Sequence, residues 1–492
     1  MVNDALILDA YEKWGEDCVK HLFGEFAFAI WDERNQRYFC ARDHFGVKPF
    51  YFTHIDNEFA FSSSLNELRL NPRVSNELNE IAVGDYLLFG VNQNLSTTIF
   101  KDIRRLPPGH TLTVADGSIT MRRYWTLERS DEIRFRDPRS YVERFSELLA
   151  QAVRDRVTTD RVGISMSGGL DSTSLAAIAH NQSKQVHAFS VVYDSLLPDE
   201  ERHYSTLAAD HLAIPITHVS ADRYDLFDGE LDQPEPFLIS PLTGQFNDLL
   251  RLSANFSPIM LTGYDGDTFM SVDQPSPLRR IKTRIKRLLG KGRAAPESRP
   301  NSSFDETFSW LDESFAKRTD LVERWHRPSI DPASPDNPMW TALFEGYDPS
   351  VTKLNLAVRH PFIDVRLVEF LSSIPVRPWR VNKHILRAAM KDQLPDAVIH
   401  RRKTPLGGDP ALQLVRRGSV RCVDSFEVSP QLRAFVNLNR RRSLADEETS
   451  DALWANLRIF ALNHWLTHSQ PAVQRTSQTQ ATTVAATKTS IA

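Results

Sequence analysis

One segment, Ser167-Gly168-Gly169-Leu170-Asp171-Ser172, constrains this chain more than any other. The short apolar run Arg161–Met166 precedes it and STSLAAIAHNQ follows, so it reads as a tight turn from a strand into a helix that starts at about residue 172. Two adjacent glycines let the backbone turn sharply and come close to a ligand. The helix aims unpaired N–H groups and a partial positive charge back at the turn, which makes an anion site. Ser167, Ser172 and Thr173 add hydroxyls. A carboxylate in an anion cradle is unfavourable alone, and Asp171 makes sense as a ligand of Mg²⁺ shared with phosphate oxygens. An ordinary helix cap after a glycine turn would need neither both glycines nor so many hydroxyls.

The same strand-and-helix grammar continues on both sides. YVERFSELLAQAVRDRV has apolar residues near 3.6 spacing and reads as a helix; QVHAFSVVY, IPITHVS and SPIMLTG read as strands, with ERHYSTLAADHLA a helix between the first two. This alternation implies βαβ units and a parallel sheet over about 138–467. Residues 1–125 follow another period: in FAFAIWDERNQRYFCARD apolar residues alternate about a polar turn at Asp32–Gln36, VKPFYF and EFAFSSS continue the pattern, and LPPGHTLTVADGSITMRRYW places two strands about Asp116-Gly117. An antiparallel β domain is expected there.

At 492 residues the chain has room for about three domains, or two large ones. With 41% hydrophobic and 25% charged residues, dominant disorder is excluded. A net charge of −4 gives no general footprint for nucleic acid. Three widely spaced cysteines, Cys18, Cys40 and Cys422, argue against a disulfide framework or a Cys-rich zinc site and for a reducing, cytoplasmic location. The sequence carries no signal-peptide pattern and no apolar run near the roughly 18 residues of a membrane span. The stretch 277–300 holds nine Lys or Arg and one acid; it is a solvated basic helix or a docking surface for an acidic peptide or partner. The low-complexity tail, 468–492, is expected to be disordered.

SGGLDS resembles the pyrophosphate loop of the ATP-pyrophosphatase superfamily. GEFAFAIWDERNQRYFCARDHFGVKPFYF is similar to the central part of a class II glutamine amidotransferase domain, and RLPPGHTLTV and RRYW to its closing segments. RHPFIDVRLVEFLSSIP, NKHILRAAMKDQLP and RRKTP resemble the C-terminal part of the asparagine synthetase domain. The resemblance runs in order from about residue 4 to 467. It implies an α/β synthetase domain with a parallel sheet, of the adenine nucleotide alpha hydrolase-like type, preceded by a truncated class II glutamine amidotransferase-like domain. It also implies cleavage of ATP between the α and β phosphates, adenylation of a carboxylate and release of pyrophosphate, with ATP and Mg²⁺ as cofactors. Carried onto this sequence, Ser167, Gly168, Gly169, Asp171, Ser172, Thr173 and Gly263 bind ATP or pyrophosphate, Ser190 and Val191 border the adenine, and Asp171 and Asp267 hold the metal. Lys383 stabilises the oxyanion of the tetrahedral intermediate, and Arg387 and Lys403 are further candidates for phosphate contact.

Two departures bear on the substrate. Where asparagine synthetases carry Ser-Gly-Glu-Gly-x-Asp-Glu, this chain has Thr262-Gly263-Tyr264-Asp265-Gly266-Asp267. Tyr264 in place of the glutamate resembles β-lactam synthetase, where the tyrosine takes part in deprotonating an amine already present in the substrate; a packed ring beside the loop is the plain alternative. Such a phenol needs a tuning carboxylate, which the sequence does not identify. A glutaminase of this class needs an N-terminal cysteine, whereas this chain starts Met1-Val2-Asn3. The expectation is a truncated amidotransferase domain without glutaminase activity, with Cys18 and Cys40 as core thiols, or else a start codon lying upstream. AYEKWGED, LLPDEERHYS and RRKTPLGGDP are most similar to the lasso peptide macrolactam synthetases. That likeness implies a precursor peptide substrate, with a leader-binding protein and a protease as partners. Pocket walls are expected from 225–255 and 300–350. An asparagine synthase, a β-lactam synthetase or other small-molecule amide ligase, and a non-catalytic scaffold are the rival readings. A tRNA-modifying enzyme would be expected to show a basic surface and paired cysteines.

Overall fold

The computed structural model describes residues 4–128, 131–182, 184–229, 231–264, 266–271, 304–402, 406–418, 426–447 and 449–468. The basic stretch 277–300, Lys403, Cys422 and the tail from residue 469 lie outside the described residues.

The first half is antiparallel. Its strands are β1 (Ala27–Asp32), β2 (Arg37–Arg42), β3 (Tyr51–Ile55), β4 (Glu58–Ser62), β5 (Arg104–Arg105), β6 (His110–Ala115) and β7 (Ser118–Arg123). They form two sheets, β1-β2-β6-β7 and β4-β3-β5. The first hairpin closes at Asp32↔Arg37, where the Asp32 carboxylate accepts hydrogen bonds from Asn35 N (3.1 Å) and Nδ2 (2.8 Å). The turns Asp56-Asn57 and Asp116-Gly117 have both central residues at positive φ, as a right-twisted two-residue hairpin demands. VKPFYF and EFAFSSS therefore do not extend the first sheet; they build the second. The β-rich expectation also misses three α-helices among the described residues, Asp4–Trp14, Leu65–Leu68 and, most buried, Glu80–Phe89. The helix Glu80–Phe89 is capped by the Asn79 side chain, which accepts from Ala82 N, and stops at Gly90 with φ +79.

After the helix Arg139–Arg156 the chain alternates: β8 (Arg161–Ser165), helix Leu170–Asn181, β9 (Gln185–Val192), helix Glu201–His211, β10 (Ile216–Ser220), helix Thr243–Phe256, β11 (Ile259–Thr262) and β12 (Ala357–Arg359). The sheet order is β10-β9-β8-β11-β12, parallel throughout. From β8 the chain builds outward through β9 and β10, then returns to the other side of β8 with β11. That reversal opens a crevice at the carboxyl ends of β8 and β11, where sheets of this kind bind ligands. The glycine turn follows β8 and the Gly263–Asp267 segment follows β11.

The two halves interlock. Tyr51, Leu65, Leu87 and Phe100 share one core with Leu453, Leu457, Phe460 and Trp465 from the helix Ser450–His468. Arg458 on that helix donates from Nη1 to the carbonyls of Leu87 (3.1 Å) and Leu88 (2.7 Å), capping the negative end of the helix Glu80–Phe89. Cys18 and Cys40 are buried; burial pushes the Cys18 thiol up to about 11 and Cys40 higher still, so both are core thiols. Among the described residues no helix is long and apolar enough to cross a membrane.

Candidate active site

Glycine is required at the turn by conformation and by space. Gly168 has φ +66, and a Cβ there would sit 2.6 Å from Ser205 N and 2.9 Å from the Tyr204 carbonyl carbon, on the backbone of the helix Glu201–His211. Gly169 is different: its φ is −77 and it serves as the N-cap of the next helix. That helix begins at Leu170, two residues earlier than expected, so Asp171 and Ser172 belong to its first turn. The hydroxyls are turned inward. Ser172 Oγ accepts from Ser167 N (3.1 Å), while Thr173 Oγ1 donates to Gly169 O (2.8 Å). Both side chains shape the loop, which leaves backbone N–H groups to meet an anion.

The second segment presses onto this turn. A Cβ on Gly263 would lie 2.6 Å from Ser172 N, and one on Gly266 would lie 2.6 Å from Asp171 Cγ. The close approach brings Asp267 beside Asp171. Lys383 completes the group: its Nζ lies 2.5 Å from Asp171 Oδ2 and 2.8 Å from Asp267 Oδ1. Ser271 Oγ donates to Asp267 Oδ1 at 3.1 Å. Asn382 and Lys383 both sit at positive φ, 50 and 55, a conformation that persists only when the surroundings enforce it. Lys383 N donates to Met270 O (2.9 Å), and Arg387 Nε donates to Asn382 O (2.9 Å). Arg387 Nη2 donates to Arg401 O at 3.3 Å. One Arg387 nitrogen thus braces the loop that aims Lys383, and another ties it to the Arg401 segment.

The two aspartates converge on the Lys383 ammonium, and as hard oxygen donors they have the chemistry for a Mg²⁺ that draws its other ligands from phosphate and water. Among the described residues no cluster of three or more His, Cys, Asp or Glu forms a metal cage by itself. Ser190, on β9, is 2% exposed, and its hydroxyl has no hydrogen-bond partner among the described residues. Ser190 lies one residue past the Ser165↔Phe189 pair that ends β8, with half-buried Val191 next to it. A buried unmet hydroxyl beside the crevice suits a ligand's polar edge.

Tyr264 is 46% exposed at the mouth of the crevice. Its ring centroid is 6.3 Å from that of Tyr347, which in turn lies 5.8 Å from His360. His360 Nδ1 is 3.1 Å from Thr262 Oγ1, and burial holds this imidazole down to about 4, so it is neutral at pH 7. Tyr347, from the 300–350 stretch, thus stands beside Tyr264. Part of 225–255 does other work: Leu249 and Leu250 of the helix Thr243–Phe256 pack on Phe189 and Met260 as cover for the sheet. Sequence reasoning missed Arg401, whose guanidinium lies 4.2 Å over the Tyr204 ring and 3.2 Å from Glu201 Oε1, against the helix that Gly168 touches. Its place in RRKTP, one residue after His400 and two before Lys403, was the available signal.

Comparison with known proteins adds a further line of evidence. The family pattern described as asparagine synthase matches residues 144–467, and the pattern described as a glutamine amidotransferase domain matches residues 4–125. Glutamine-hydrolyzing asparagine synthetase 3 of Bacillus subtilis (strain 168) is 27% identical over 445 residues, covering 81% of this chain and 70% of its own. Glutamine-hydrolyzing asparagine synthetase 2 of the same organism is 26% identical over 456 residues, covering 81% and 58%. A putative glutamine-hydrolyzing asparagine synthetase 2 of Methanocaldococcus jannaschii is 28% identical over 272 residues, covering 53% and 52%. The matched part of this chain thus spans between about half and 70% of the length of these relatives.

Proposed function

Given that this chain belongs to the asparagine synthase family, a family of ATP-dependent ligases, we propose that it closes the macrolactam ring of a lasso peptide. In the first step a side-chain carboxylate of the precursor peptide attacks the α-phosphate of ATP, forming an acyl-adenylate and releasing pyrophosphate. In the second step the peptide's freed N-terminal amine attacks the acyl carbon; an amide bond forms, the bond to AMP breaks, and the amine proton leaves to a base. A leader-binding protein and a protease are the partners this scheme calls for, because the amine must be freed before it attacks.

The observation that carries the reading is the meeting of Lys383 with Asp171 and Asp267 over the glycine turn, with the Tyr264 ring at the open side. The turn's N–H groups receive the departing pyrophosphate. Asp171 and Asp267 would hold Mg²⁺, which when bound neutralises charge on the phosphates. Lys383 meets the oxyanion of the tetrahedral intermediate. Ser190 and Val191 border the base. Tyr264, on the side open to substrate, takes part in deprotonating the attacking amine: its phenol oxygen takes the amine proton as its own hydroxyl proton passes on to a carboxylate or to solvent. Ring closure also needs the amine held against the adenylate before water arrives, and well-oriented intramolecular reactions reach effective molarities of about 10⁵–10⁸ M.

The relatives' names favour a second reading, an asparagine synthase; a small-molecule amide ligase such as a β-lactam synthetase shares the same ATP chemistry. The test is pyrophosphate release from ATP and Mg²⁺ with linear precursor peptides, against aspartate with ammonium or glutamine. Peptide-dependent release, with a product lighter by one water, supports ring closure. Equal or faster release with aspartate and a nitrogen donor, giving asparagine, would replace it with the second reading.

A further inference from the structure

The antiparallel half reaches the synthetase half through a fully buried ion cluster. Arg105 on β5 is 2% exposed. It grips Glu345 in a two-point fork, Nε to Oε1 at 2.8 Å and Nη2 to Oε2 at 3.0 Å. The same guanidinium contacts Glu235 and the carbonyl of Thr97. Arg42 Nη2 approaches Glu345 Oε1 at 3.9 Å. A buried cluster of this kind is weak as a source of stability, since well-packed apolar side chains in its place often do as well or better. What a bidentate fork supplies is position and orientation.

The object being positioned is the end of the helix Pro338–Gly346. Tyr347 caps that helix, with Tyr347 N donating to Phe344 O (3.2 Å) and Asp348 N to Glu345 O (3.2 Å). The half-buried Tyr347 ring then packs between His360 and Tyr264. We propose that Arg105 is a positioning residue for the acyl-transfer step: through Glu345 and the ring of Tyr347 it fixes the flank against which Tyr264 meets the amine. The antiparallel half thereby serves ligation from a distance. This inference rests on the proton-accepting reading of Tyr264 given above.

The test compares Arg105→Lys, Tyr264→Phe and the double variant in the full chain, with folding checked by circular dichroism. Two rates are followed: isotope exchange between pyrophosphate and ATP, which reads adenylation, and amide formed per pyrophosphate released, which reads partition of the adenylate between amine and water. Lysine keeps the charge and loses the fork, so amide formation should fall by about ten- to a hundredfold, the scale of a small misplacement of reacting groups, while exchange stays near wild type. The partition ratio should move toward hydrolysis, which general loss of folded protein would not cause. In the double variant the effect should be no larger than in Tyr264→Phe alone. Equal loss of exchange and amide formation, wild-type partition, or full multiplication of the two single effects overturns the role of Arg105. If Tyr264→Phe alone keeps wild-type amide formation, the Tyr264 reading has failed instead. Should Arg105→Lys not fold, Tyr347→Leu takes its place in the same cycle, and the same outcomes decide.

Discussion

Glu25 offers a quantitative test of how the two halves are joined. It stands just before β1 with its carboxylate buried, one oxygen 3.2 Å from Arg156 Nε and the other on Arg359 Nη1. Arg156 passes the pairing on to Asp364 at 2.8 Å, and Arg366 ties Asp364 (2.8 Å) to Asp155 (2.7 Å). Burial alone would raise the Glu25 carboxyl, but the Arg359 and Arg156 charges outweigh it and hold it at about 2, against an ordinary 4.5. That difference of roughly 2.5 pH units, at about 1.4 kcal/mol each, makes the ionised form worth roughly 3–4 kcal/mol to the folded state. Breaking a buried ion pair by removing one charge typically costs about 3–5 kcal/mol, which agrees. Glu25→Gln keeps the size and removes the charge, so it should lower stability by roughly 3–4 kcal/mol at pH 7. The sign of the pH dependence follows from a depressed carboxyl: its contribution is full above 4.5 and is lost as pH falls through about 2. The gap between wild type and variant should therefore hold steady from pH 7 to 5, shrink to roughly half by about pH 3 and close near pH 2. Urea unfolding followed by circular dichroism and tryptophan fluorescence measures it. A gap under about 1 kcal/mol at pH 7, or one that is undiminished at about pH 3, would refute the argument.

Further expectations concern the crevice. Asp171→Asn and Asp267→Asn should each abolish pyrophosphate release with an unchanged circular dichroism spectrum; wild-type turnover in either would remove it from the metal site. Lys383→Ala should slow acyl transfer by about 10²–10³, more than it slows adenylation, and a common fall in both would make Lys383 a nucleotide-binding residue. Lys383→Arg should not restore the rate, because a planar fork does not replace a compact ammonium between carboxylates at 2.5 and 2.8 Å. Gly263→Ala would put a methyl 2.6 Å from Ser172 N, so ATP affinity should fall by at least about tenfold as the turn is displaced, and an unchanged Kd by calorimetry would show that the turn tolerates the shift.

What the sequence disclosed was local. SGGLDS announced a strand, a turn and a helix because all its determinants lie within a few residues. The helix nevertheless starts at Leu170, which places Asp171 inside its first turn. The helix Glu80–Phe89 escaped because Ala82 through Leu88 are all buried, so no polar face sets a period. β12 escaped because three residues are too few to show one. Lys383 and Asp267 were named through family resemblance; nothing local says that residues 171, 267 and 383 meet at one point. The ion pairs between the halves join residues 240 and 334 apart, Arg105 with Glu345 and Glu25 with Arg359, and such pairs leave no pattern in a single sequence.

The shared core has a consequence for biosynthesis. Tyr86, Leu87 and Phe100 are packed by Leu457, Phe460 and Trp465, and Arg458 caps the helix Glu80–Phe89 from about 370 residues downstream. At about 5–20 residues per second, the ribosome needs on the order of 20–70 s to supply that cover after the first partners have emerged. Through that interval the early segment presents apolar side chains and an uncapped helix to solvent or to a chaperone. Completion of the core around the helix Glu80–Phe89 thereby waits for the last helix described here, whereas the cores of the first sheet contain no residue of that helix. A chain stopped before Ser450 would be a target for degradation, even with every residue of the crevice already made.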